Sequence, residues 1–120
     1  MANVLVDTSV WIDFLRSGNS ELASLLSSNR VVIHPMIIGE LACGHLKNRK
    51  SLMALWTSLN SLAPASHDEV LYYIEHHHLM GKGIGYIDAH LLASATLAAD
   101  VKLWTNDKRL ARLASSLTLN

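Results

Sequence analysis

The sequence is short of several things. It has one cysteine, two prolines and one phenylalanine in 120 residues, and charged residues make up only 17% of it. A lone Cys43 excludes an internal disulfide framework and fits a reducing compartment. No apolar run approaches the ~20 residues of a membrane span. The opening MANVLVDTS has no basic segment and turns polar after a few residues, so no secretory leader is expected. The sequence therefore predicts a soluble, cytoplasmic protein without membrane association. With half of its residues apolar it can build a core, and intrinsic disorder is excluded. Its length fits one compact domain, residues 1–120.

Charge of one sign is also lacking: ten Lys and Arg balance ten Asp and Glu. A nucleic-acid-binding chain is usually basic, so neutrality at first argues against that class. The distribution changes this reading. If four acids are neutralised by a bound cation, six remain against ten basic residues, a balance of +4. An acidic metal pocket within a mildly basic surface is compatible with acting on a polyanion.

Short apolar runs alternate with amphipathic ones. Asn3–Val6, Arg30–Ile33 and Val101–Trp104 read as strands, with Leu62–Ala65 a weaker one and Leu117–Leu119 a last one. Helical spacing marks Val10–Leu15, Glu21–Ser27, a helix opening at Pro35 and carrying Ile37, Ile38, Leu41 and Leu46, then Lys50–Leu59, His67–Met80, Tyr86–Ala99 and Asp107–Ala114. Gly81, Gly83 and Gly85 interrupt the pattern before Tyr86. Strands alternating with helices predict an α/β domain with a mostly parallel sheet and helices on both faces. Ligands of such folds bind beyond the carboxyl ends of the strands, where strand order reverses.

Four carboxylates stand out against this frame. Asp7, in VLVDTS, immediately follows a strand, and Asp107, in LWTND, lies just past another. Either could simply cap the next helix, but Thr8 or Ser9, and Asn106, could do that instead. Glu40 lies in the apolar stretch MIIGELACG, where a buried carboxylate would need a partner or a metal. Asp88 sits in the first turn of a helix, a position that the helix dipole favours in any case. Clustered carboxylates repel one another unless a cation is present, and hard cations such as Mg²⁺ and Mn²⁺ take oxygen ligands. Such a site polarises a phosphoryl oxygen and activates water, so no covalent nucleophile is required.

Together, VLVDTSVWIDFLR, the acid of IIGEL, YIDAHLLASA and LWTNDKRLARLA resemble the PIN-domain family, and within it the toxins of VapBC-type toxin–antitoxin pairs; the likeness runs over essentially the whole chain. The resemblance implies a PIN-like three-layer α/β sandwich with a mostly parallel five-stranded sheet flanked by helices. It implies Mg²⁺- or Mn²⁺-dependent endoribonuclease activity by water attack. Asp7, Glu40, Asp88 and Asp107 become both the catalytic and the metal-binding quartet, with Asp7 and Asp88 the leading ligands. The supporting hydroxyls fall on Thr8, Ser9 and Thr105. An RNA substrate, a cognate antitoxin and a homodimer are the implied partners.

Two basic clusters, Lys47, Arg49 and Lys50 after Glu40, and Lys108, Arg109 and Arg112 after Asp107, are candidate RNA-phosphate contacts. His76, His77 and His78 are consecutive and therefore ~100° apart on a helix, which predicts a solvated face instead of one metal site. Cys43 has no recognisable catalytic partner and is expected to be packed. Receiver domains and aspartyl phosphatases need a second acid beside Asp7 or an acid after the third strand; VLVDTS and LAPAS supply neither. The remaining alternative is a PIN-like module that binds RNA or protein without cutting.

Overall fold

The computed structural model describes all of residues 1–120. In chain order the elements are β1 (Asn3–Val6), α1 (Thr8–Ser17), α2 (Ser20–Ser27), β2 (Val31–Ile33), α3 (Pro35–Ala42), α4 (Arg49–Ser58), β3 (Asn60–Ser61), α5 (His67–His76), α6 (Tyr86–Leu97), β4 (Val101–Trp104) and α7 (Lys108–Ser116). The strands form one parallel sheet in the order β3-β2-β1-β4. From β1 the chain moves to β2 and β3 on one side and to β4 on the other. The order therefore reverses between β1 and β4, which in such folds sets the ligand crevice at their carboxyl ends, where Asp7 and Thr105 emerge.

Leu5, Val6, Val32, Ile33 and Leu103 are buried in the sheet, as expected for strands covered on both faces. Helix α6 is the central helix. Every residue from Ala89 to Ala95 is buried, and α6 packs on α5 and β4. A helix apolar around its whole circumference belongs in a core, and its alanines let neighbours approach closely. Trp11 on α1 meets Trp56 on α4 edge to face, with ring centroids 5.9 Å apart.

The structure corrects several sequence expectations. The sheet has four strands where five were expected. The last segment approaches β4 through one ladder bond, from Leu103 N to Leu119 O, but Thr118 takes a left-handed φ of 57° that breaks an extended run. The amides of Leu117 and Leu119 instead close the end of α7 on the carbonyls of Leu113 and Ala114. The third strand comes earlier than Leu62–Ala65. Asn60 and Ser61 pair with Val32 and Ile33, Leu62 N adds one bond to Ile33 O, and Pro64 then has no amide to offer the ladder. Helix α5 stops at His76 instead of Met80, because His78 adopts a positive φ of 53°. Helix α3 ends at Ala42, leaving Leu46 outside it. Cys43 is exposed, not packed.

One buried histidine ties the layers together. His34 is fully buried at the N-cap of α3. Its Nδ1 accepts from Met36 N at 3.0 Å, so the proton sits on Nε2, 3.0 Å from Ser94 Oγ on α6. Ser94 Oγ also accepts from Ala65 N at 3.3 Å. Burial, and then the neighbouring His90, lower the His34 pKa from 6.5 to about 4. The unfolded chain thus takes up this proton first as pH falls, so the stabilisation from neutral His34 is complete above pH 6.5 and is lost between 6.5 and about 4. Urea unfolding is expected to show a loss of about 2 kcal/mol across that window, after allowing for screening by water. His34→Asn, which keeps a capping acceptor, should flatten that part of the profile, whereas contributions from His90 and the carboxylates persist. Parallel pH profiles for the two proteins would contradict this role.

Candidate active site

The site is built from the ends of β1 and β4. Asp7 is 6% exposed and occupies the N-cap position of α1, yet its side chain makes no capping bond. The carboxylate is instead held across the crevice. Asp7 Oδ2 accepts from Ser9 Oγ at 2.8 Å and from Thr105 Oγ1 at 2.7 Å. Thr105 Oγ1 in turn accepts from Asp107 N at 3.0 Å, and Ser9 Oγ accepts from Asn106 N at 3.0 Å. Two hydroxyls thereby lock the turn after β1 to the turn after β4, just beyond the backbone bond from Asp7 N to Trp104 O.

The other three acids are anchored in the same economical way. Asp107 caps α7, its Oδ1 accepting from Arg109 N at 2.9 Å and Leu110 N at 3.1 Å. Asp88 Oδ2 accepts from Gly85 N at 3.2 Å at the start of α6. Glu40 Oε1 accepts from Thr8 Oγ1 at 2.8 Å, bringing α3 to α1. In each of the four, these bonds fall on one carboxylate oxygen. The capping role weighed for Asp107 is thus real, yet it engages only that oxygen. Glu40 is exposed, against the expectation from its apolar neighbours: Ile37 and Leu41 point into the core while Glu40 takes the other face of α3.

Electrostatics ties the four into one cluster. The carboxyl of Asp88 is raised above its usual range, first by burial; the Gly85 amide partly offsets this, and repulsion from Asp7, Asp107 and Glu40 adds to it. A group of hard oxygen donors that repel one another fits a divalent cation. No three acidic, His or Cys side chains come close enough here to ligate one ion together. Coordination by one or two carboxylates, with waters completing the shell, is the ordinary arrangement for Mg²⁺.

The basic candidates separate. Arg49 does not face the cluster: its guanidinium donates to Ala42 O at 2.6 Å and Gly44 O at 3.1 Å, closing the last turn of α3. Two of its donors are thereby engaged by backbone. Lys47 lines a groove against α1, on the α3–α4 connection. Lys50, Lys108 and Arg112 are exposed, and Arg109 leans on the loop before Asp88. Ser9 and Thr105 were expected as supporting hydroxyls; what sequence reasoning did not foresee is that they join into one Ser9–Asp7–Thr105–Asp107 relay across the two turns. Its signal is present, in D-x-S after one strand and T-x-D after another. His76 and His78 are exposed and His77 rests on Tyr73, in keeping with a solvated helix end.

Relieving the repulsion should be measurable. Asp88→Asn keeps an acceptor for Gly85 N but removes one charge. It is expected to raise metal-free stability by up to ~1 kcal/mol after screening, and to abolish most of the rise in melting temperature that millimolar Mg²⁺ or Mn²⁺ gives the parent. Identical metal-induced shifts in both proteins, by thermal denaturation, would break the link between Asp88 and the cation.

Comparison with known proteins agrees with this geometry. A family model described as the PIN domain matches residues 4–115. The chain is 43% identical over 107 residues to a protein named Ribonuclease VapC32 from Mycobacterium tuberculosis (strain CDC 1551 / Oshkosh), covering 89% of this chain and 86% of that one. The protein of the same name from strain ATCC 25618 / H37Rv matches with the same identity and coverage. Among solved structures, PAE2754 from Pyrobaculum aerophilum superposes with a TM-score of 0.66 over 99% of this chain and 97% of that one; at 17% identity this likeness concerns the fold alone. A parallel sheet whose strand-end crevice gathers four spaced acids, matched by a family model over residues 4–115, places this chain in the PIN-domain family.

Proposed function

We propose that this chain is a metal-dependent endoribonuclease of the VapC type, the toxin of a toxin–antitoxin pair, with the whole activity carried by one domain over residues 1–120. The observation that carries the reading is the quartet: Asp7, Glu40, Asp88 and Asp107 are each held by one oxygen around the strand-end crevice. The 43% identity to a protein named as a ribonuclease supports the substrate class.

Asp7 and Asp88 are the leading candidates to hold the cation, with Glu40 and Asp107 completing the shell through water. Mg²⁺ or Mn²⁺, when bound, supplies positive charge to a phosphoryl oxygen and makes water a better nucleophile at neutral pH. The chain itself offers no evident covalent nucleophile. The hydroxyls of Thr8, Ser9 and Thr105 all donate to carboxylates. Their work is to fix where those carboxylates stand, which favours direct attack by water on the phosphodiester. Removal of such supporting hydrogen bonds typically costs ~10- to 100-fold in metal affinity or activity.

An antitoxin partner is supported by a groove of ≈ 840 Å³ between α1 and α4. Ile12 and Leu15 expose apolar surface there opposite Leu52 and Leu55, and Arg16 and Lys47 stand beside them. This suits an amphipathic segment with acidic flanks, of the kind an antitoxin tail would provide. No helix of the chain is long and apolar enough to cross a membrane. Action on RNA in the cytoplasm, and a homodimer as the resting assembly, belong to the same proposal.

Purified protein is expected to cleave members of a mixed RNA panel with Mg²⁺ or Mn²⁺, and to lose that activity with EDTA or in Asp7→Asn. Cleavage surviving either treatment would trace to a contaminant and remove the support for this reading. For the partner, Leu15→Glu should weaken capture of the protein encoded by a small reading frame immediately upstream, while RNA cleavage is retained. Undiminished capture would place the antitoxin elsewhere.

A further inference from the structure

We propose that Arg109 holds a substrate phosphate at the mouth of the carboxylate cluster, and that Gly83 is the seat that puts its guanidinium there. This deepens the endoribonuclease reading and rests on it. Arg109 spans the site. Its backbone amide is bonded to Asp107 Oδ1 at 2.9 Å, and its side chain crosses to the loop before α6. There it lies against the bare backbone of Gly83. A Cβ on that residue would fall 2.5 Å from Arg109 Cδ, 2.9 Å from Nη1 and 3.0 Å from Nε. Gly83 also has a φ of +82°, a region that other residues rarely occupy. Two residues on, Gly85 N holds the carboxylate of Asp88. The side chain thus lies between the anchors of two acids of the quartet.

A charge so placed is available to substrate. Within the chain the Arg109 guanidinium has no hydrogen-bond partner, only its packing against Gly83. Other arginines are committed elsewhere: Arg49 to the end of α3, and Arg30 to Ala2 O through Nε and Nη2. Four carboxylates repel an approaching phosphodiester. A planar cation with paired donors at their edge offsets that repulsion and fixes the phosphate in orientation, which a lysine does less well. The atoms that would collide with a Cβ at Gly83 belong to the far end of a flexible side chain, so Gly83→Ala displaces the guanidinium, and at this positive φ it also strains the loop that leads to Asp88.

The test compares Arg109→Ala, Arg109→Lys, Gly83→Ala and the Arg109→Ala/Gly83→Ala double variant, with Lys102→Ala removing a charge at the opposite end of β4 as control. Steady-state cleavage of a short RNA bearing one cleaved site gives KM and kcat. Binding of the same RNA to each variant in an Asp7→Asn background gives the salt dependence. Arg109→Ala is expected to raise KM ~10-fold with a much smaller change in kcat, and to lower the slope of log affinity against log salt by about one. Arg109→Lys should recover the slope but only part of KM. Gly83→Ala should lower the salt slope as Arg109→Ala does and lower it no further in the double variant, the slope being the readout that loop strain near Asp88 does not move. An unchanged salt slope would reduce Arg109 to a pin for the loop and overturn the proposal. Additive effects of the two substitutions on the salt slope would overturn the role of Gly83. Failure of the parent to cleave any RNA would fall on the nuclease reading alone, because the salt slope still decides whether Arg109 meets phosphate.

Discussion

The site depends on one interaction, the capture of Asp7 Oδ2 by the hydroxyls of Ser9 and Thr105. Strands β1 and β4 are neighbours in space and nearly a hundred residues apart in sequence. Backbone pairing sets their register but leaves the turns beyond them undetermined. The two hydroxyls settle those turns, and Thr105 passes the constraint to Asp107 through its amide. Asp107 then fixes the first turn of α7 and with it the backbone of Arg109. A buried carboxylate is stable only with such bonds. The same bonds that satisfy Asp7 therefore align one wall of the crevice.

The layers behind the site meet a complementary requirement. Helix α6 must carry Asp88 to the strand ends while burying seven consecutive residues. Two of them are polar, His90 and Ser94, and His34 and Ala65 N use the Ser94 hydroxyl to tie α6 to the start of α3 and to the connection after β3. Glu40 rides on α3 from that same His34 cap. The positions of two of the four acids, Asp88 and Glu40, thus trace back to one buried imidazole–hydroxyl pair. Its neutral state is what low pH removes.

What was legible in the sequence follows from the range of the forces involved. Alternation of apolar and amphipathic runs reports local periodicity, so β1, β4 and α6 emerged close to their observed limits. Strand ends followed by Asp7 and Asp107 were legible for the same reason. The last strand was not, because a single residue, Thr118, turns the backbone left-handed after a plausible β run. Glu40 was misjudged because sequence neighbours on a helix point in different directions; Ile37 and Leu41 describe another face. Arg49 was grouped with the phosphate contacts on charge alone, although a guanidinium near a helix end finds the last carbonyls first. The Gly83–Arg109 contact lies between residues far apart in the chain and leaves only three glycines before Asp88 as its trace.

The neutral composition also acquires a structural reason. A chain that acts on a polyanion while keeping four carboxylates together faces two opposed electrostatic demands. An evenly basic surface would attract RNA but would also pair with the acids and blunt the cluster. Here the acids are tied by neutral donors, namely hydroxyls and amides, and not by Lys or Arg. Neutral donors hold a carboxylate without cancelling its charge, so the cluster stays attractive to a cation. No basic side chain is thereby spent on the acids, and the seat at Gly83 gives one arginine a defined place beside them. Under the proposed function the net charge near zero reflects a division of labour: hydroxyls and amides for geometry, carboxylates for the cation, and an arginine for the phosphate.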